Sequence, residues 1–118
     1  MSDAYDRNRL IELFGGDAAT LAEIEREFLG TTWSAQEEIR GTDDLATIAR
    51  AAHLLKGAAG MIGANALSQV AAAVERAAKG GDLPGVRRLD DGLAHEVVRV
   101  AAQAGVDQAR GRSITVAE

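Results

Sequence analysis

Cysteine is absent from the 118 residues, which excludes disulfides, thiolate metal sites and thiol nucleophiles and leaves the redox compartment open. Aromatic residues make up only 3% of the chain while apolar residues make up 47%, so a core must be assembled from Ala, Leu, Val and Ile. Pro84 is the single proline. Long helical runs meet almost no covalent obstacle. An excess of positive charge is also missing: 13 Lys and Arg stand against 18 Asp and Glu, a formal charge of -5. That balance is the reverse of a nucleic-acid binder's footprint and discounts DNA and RNA as partners. No basic leader precedes an apolar segment, and no run approaches the roughly 18 apolar residues that a membrane span needs. A soluble cytoplasmic protein is expected. The sequence contains no Gly-rich phosphate loop ending in Lys-Ser/Thr, so autonomous ATP-dependent kinase activity is not expected. It contains no His-Glu-x-x-His spacing either, and no metal site is expected.

What is present is helical periodicity. The length suits one domain with one core, and Gly-containing breaks divide it into one short and four longer amphipathic stretches. Asp6 to Phe14 carries Leu10, Ile11, Leu13 and Phe14 and stops at Gly15-Gly16. It is too short to persist without packing on something larger. Asp17 can cap a long second helix, with Leu21, Ile24, Phe28, Ala35 and Ile39 at helical spacing before Gly41. Thr42 or Asp43 can cap the third, where Leu45, Ile48, Ala52, Leu55, Ala59 and Ile62 keep a 3-4 rhythm up to Gly63. Leu67, Val70, Ala71, Val74 and Ala78 form a fourth stripe that ends at Gly80-Gly81. Asp82 and Pro84 open a fifth helix with Val86, Leu89, Leu93, Val97, Val100 and Ala104, which is expected to end at Gly105. Short connections make sequential helices antiparallel. The fold expected is all-α, an antiparallel four-helix bundle with an additional short N-terminal helix. Residues 1–105 form the bundle and 106–118, which lose the period, a flexible tail or linker.

The third helix carries the chemistry. Around its axis His53, Lys56, Gly57 and Gly60 centre about 120° from the apolar stripe, which places His53 at the surface. A neutral imidazole is a competent nucleophile near physiological pH, and one ring nitrogen attacks best when an acceptor holds the proton on the other. If the third and fourth helices form a hairpin about Gly63, His53 lies ten residues before the turn and Glu75 twelve after it. At ~1.5 Å per residue the two sit within about 3 Å of one level. Glu75 can then accept from Nδ1–H and leave Nε2 to take a phosphoryl group. Lys56, one turn on from His53, can offset phosphoryl charge. Gly57 and Gly60 each cost roughly 1 kcal/mol relative to Ala inside a helix, so their presence signals a need for space. For Gly60, close helix packing explains that need as well as docking does. His95 lies about 160° from the stripe of its own helix and lacks a Lys-Gly sequel. It is not expected to carry a phosphoryl group, and Trp33 is expected to be a partly buried bundle contact.

The run Ala-His-Leu-Leu-Lys-Gly-Ala-Ala-Gly-Met-Ile-Gly from Ala52 to Gly63 resembles the signature of histidine-containing phosphotransfer (HPt) domains, the relay modules of two-component signal transduction. The likeness extends over roughly Asp6 to Ala104. It implies a phosphocarrier more than an enzyme: phospho-His53 relays phosphoryl groups between receiver-domain aspartates, or from a hybrid or sensor histidine kinase. It further implies that Mg2+ sits on the partner receiver domain, that this chain has no intrinsic cofactor, and that receivers dock over Gly57, with exposed Leu54 or Met61 contributing. A monomer is expected. Two other readings stay open: a non-phosphorylated helical adaptor for receiver or kinase domains, and the phosphotransfer domain of a larger chemotaxis-type kinase. The initiating Met and the near-immediate start of the bundle favour a standalone protein.

Overall fold

Aspartates begin the helices. Asp6, Asp17, Asp44 and Asp82 accept hydrogen bonds from the backbone N–H groups of Arg9, Thr20, Thr47 and Gly85, satisfying donors that a helix start leaves without partners, at about 1 kcal/mol per cap. The computed structural model describes residues 3–116, with side chains described as far as Asp107. Six helices run in order: α1 (Arg7–Phe14), α2 (Ala18–Gly41), α3 (Leu45–Met61), α4 (Asn65–Lys79), α5 (Leu83–Arg88) and α6 (Asp90–Val116). No strand occurs among the described residues. None of the helices there is long and apolar enough to cross a membrane.

α2, α3, α4 and α6 form the antiparallel four-helix bundle, and α1 is the additional short N-terminal helix. Antiparallel order is visible in the contacts between α3 and α4: His53 meets Glu75 while Lys56 meets Ser68, so numbers rise on one helix as they fall on the other. The apolar stripes face inward as their periodicity dictates. Ile48, Ala52, Leu55 and Ala59 of α3 are buried against Leu67, Ala71, Val74 and Ala78 of α4, Leu21, Phe28 and Ile39 of α2, and Leu93, Val97 and Val100 of α6. The α3–α4 turn depends on glycine at Gly63. Its φ of +74° favours glycine, and a Cβ there would lie 2.8 Å from the Cβ of Asp6. Asp6 also donates its backbone N–H to the carbonyl of Ile62. The entry to α1 is therefore packed directly on the hairpin that carries His53 and Glu75.

Four details depart from the sequence reading. Asp44, not Thr42 or Asp43, caps α3, while Thr42 Oγ1 accepts from the Asp44 N–H. The fifth helix is two, α5 and α6, because the Leu89 N–H turns back to the carbonyl of Val86, three residues away, and tightens the chain there. Arg87 of α5 donates to the carbonyls of Ile39 and Thr42, fastening this short helix to the end of α2. Of the four apolar residues in α1 only Leu10 is buried; Ile11, Leu13 and Phe14 are exposed. The helix end expected at Gly105 is not there: α6 continues to Val116. Gly105 is not among the glycines with positive φ, and without the left-handed cap a glycine costs helix stability but does not end a helix. Asp107, expected in the tail, is buried at the end of the bundle. Residues 117–118 of that tail lie outside the described residues.

Candidate functional site

His53 sits near the middle of α3 with its side chain 62% exposed. Its position is set by the stripe: Ala52 and Leu55 on either side are buried, which turns His53 outward and toward α4. Across the groove Val74 is buried in the core, and the next residue, Glu75, lies at the edge of the α3–α4 contact. The Glu75 side chain is only 6% exposed, with Oε2 2.9 Å from His53 Nδ1. Lys56, one turn after His53, places Nζ 2.8 Å from Glu75 Oε1. Three sequence candidates, His53, Lys56 and Glu75, thus meet in a single cluster.

A fourth member was not singled out in the sequence. Lys79, one turn after Glu75 on α4, places Nζ 2.9 Å from Glu75 Oε2, the oxygen that also faces His53 Nδ1. The signal that could have found it is the Glu-x-x-x-Lys spacing, which sets Lys on the same helix face one turn on. These contacts determine the cluster's electrostatics. Hydrogen bonds from Lys56 first, then Lys79 and His53, hold the Glu75 carboxyl down at about 2, against an opposing contribution from burial. Glu75 is therefore a carboxylate throughout the physiological range, an acceptor and never a donor toward His53. An imidazole whose Nδ1 carries the proton and donates to such a carboxylate leaves the lone pair on Nε2, at the far edge of the ring.

The surface beside the ring is open. A Cβ built on Gly57 would meet nothing within 4 Å. At Gly60 a Cβ would meet only Ser68 Oγ, at an ordinary 3.8 Å, so close helix packing does not demand glycine there. Leu54 and Met61 are both exposed on the same helix, at 63% and 56%. Leu54 lines a groove between α2 and α3 together with Gly30, Thr31, Ser34, Glu38 and Ala51. His95 stands apart on α6, 70% exposed, with the carboxylate of its neighbour Glu96 4.0 Å from Nε2. Trp33 is 48% exposed and borders a separate groove between α2 and α6 with Val98 and Ala101.

The arrangement can hold a neutral imidazole in one tautomer, stabilise positive charge on it and admit a large reactant to its outer nitrogen. The family model of the Hpt domain matches residues 9–108 of the chain. Neither a curated protein nor a solved structure matches it.

Proposed function

Since the chain belongs to the Hpt domain family, whose members carry out histidine phosphotransfer in phosphorelays, we propose that His53 is its phosphoacceptor and that it shuttles phosphoryl groups between receiver-domain aspartates or from a hybrid or sensor histidine kinase. The observation that carries this reading is the contact of 2.9 Å between His53 Nδ1 and Glu75 Oε2 on an otherwise exposed ring. The Nε2 lone pair attacks the phosphorus of an aspartyl phosphate, forming the P–N bond as the P–O bond to the aspartate breaks and the carboxylate leaves with its electron pair. The Nδ1 proton stays on the ring throughout. The positive charge that develops on the imidazole is met by Glu75, and the phosphoryl oxygens lie within reach of Lys56. Return of the phosphoryl group to a second receiver is the same displacement in reverse.

Nothing in this step asks the chain for a metal. Mg2+ is expected on the receiver, where it would offset charge on the phosphoryl group being transferred. The receiver docks over Gly57 and Gly60, where missing side chains let its acceptor carboxylate come in line with phosphorus, and Leu54 or Met61 provides apolar contact. The protein acts in the cytoplasm as a monomer.

The test is labelling by phosphorylated receiver domains of the source organism, with wild type, His53→Gln and His95→Gln compared. His53→Gln is expected to abolish labelling with the helical circular dichroism unchanged, since the ring is exposed, and His95→Gln to retain it. Label that survives in the His53 variant and disappears in the His95 variant would overturn the assignment. Binding of receivers by wild type without any label would favour the adaptor reading.

A further inference from the structure

Each oxygen of Glu75 has its own lysine. Lys56 reaches Oε1 from α3 and Lys79 reaches Oε2 from α4, at 2.8 and 2.9 Å. Only the second oxygen also faces His53, at 2.9 Å. The two nitrogens that share Oε2 are therefore no farther apart than twice that distance. A carboxylate held at one oxygen alone can rotate about its terminal torsion, which is broad and shallow. Held at both, it presents a fixed edge. Lys79 supplies the second hold from the same helix as Glu75, one turn on, so its grip on the carboxylate does not depend on α3 or on the histidine.

We propose that Lys79 is a positioning residue for phosphotransfer, acting through Glu75: by fixing Oε2 against His53 Nδ1 it keeps the ring proton on Nδ1 and the lone pair on Nε2. This rests on His53 being the phosphoacceptor, but the tautomer it controls exists whether or not transfer occurs. Lys79 lies outside the core. Its side chain is 66% exposed, and it lies in the last turn of α4, where a cation also suits the helix dipole.

The test is a mutant cycle with two readouts. Ring-nitrogen NMR of unphosphorylated protein, with 15N-labelled histidine and at a pH where the ring is neutral, reads the share of His53 molecules carrying the proton on Nδ1. Phosphoryl uptake from a phosphorylated receiver at saturating concentration reads the transfer step. Lys79→Gln is expected to lower the Nδ1–H share and to slow transfer by about two- to fivefold, the size of one partly exposed ion pair. The receiver concentration giving half-maximal rate should not change. Lys79→Arg is expected to restore both readouts. In a Glu75→Gln background, adding Lys79→Gln is expected to change neither. An unchanged tautomer share in Lys79→Gln overturns the proposal, and so does an equal loss of rate with or without Glu75, which would mean that Lys79 meets the phosphoryl group directly. Absence of uptake in wild type, by contrast, would refute the phosphoacceptor reading while leaving the tautomer measurement to decide the role of Lys79.

Discussion

On the proposed function, Gly57 is a residue at which stability and transfer are expected to move in opposite directions. It is exposed in the interior of α3, and a side chain there would meet nothing within the protein. Gly57→Gln is therefore expected to keep or raise thermal stability, by up to about 1 kcal/mol from helix propensity, while slowing transfer by crowding the incoming receiver. Thermal unfolding and transfer kinetics at subsaturating receiver, measured on one preparation, check this. Equal transfer rates in the variant and wild type would move the docking surface away from Gly57. Residue positions of this kind were legible in the sequence because they rest on angle alone: His53 and Glu75 each flank an unbroken apolar stripe, and the hairpin about Gly63 sets their level. Lys79 was not, because a Glu-x-x-x-Lys pair on an exposed helix face is ordinarily a weak solvated contact. It gains its meaning only once Glu75 is seen to be shared with α3.

At the scale of elements, the entry to α1 is tied down by a buried polar cluster that periodicity could not announce. Tyr5 Oη donates to Glu25 Oε2 at 2.5 Å, and Asp107 of α6 and Arg7 of α1 complete the group. Gln103 accepts from the backbone N–H groups of Ala4 and Tyr5 and donates to the carbonyl of Tyr5. Burial, together with a hydrogen bond to the neighbouring carboxyl of Asp107, pushes Glu25 up to about 7, and burial with the same two acids pushes the Tyr5 hydroxyl up as well. The native state therefore holds a proton on Glu25 that the unfolded chain releases near its ordinary value of 4.5. Between those two values the folded protein binds more protons, so stability falls as pH rises from about 4.5 to 7 on this account. Glu25→Gln, which keeps an acceptor for Tyr5 and a donor for Asp107, is expected to flatten that slope and to melt higher than wild type at pH above 7. A melting temperature with the same pH dependence in both proteins would contradict it. Glu25 lies four residues after Leu21 and three before Phe28, on the buried face of α2, yet a carboxylate is not expected in a core, and its partner Asp107 lay beyond the glycine at which α6 was expected to stop. Composition misled there: Gly105 is a weak position within a helix, and Asp107, two residues on, is held by Tyr5 and Arg7.

For the whole molecule, the antiparallel bundle was legible because few aromatics, one proline and short connections left little freedom in how five amphipathic stretches could bury their stripes. The split at Leu89 was not, since the stripe from Val86 to Ala104 continues through it unbroken. The bundle holds α3 and α4 in the register that sets Glu75 beside His53 and leaves the ring exposed. The most direct measurement is NMR of the protein phosphorylated by a receiver domain, with 15N-labelled histidine. It is expected to show phosphorus coupled to Nε2 of His53 while Nδ1 keeps its proton. Phosphorus on Nδ1, on His95 or on neither histidine would contradict the account.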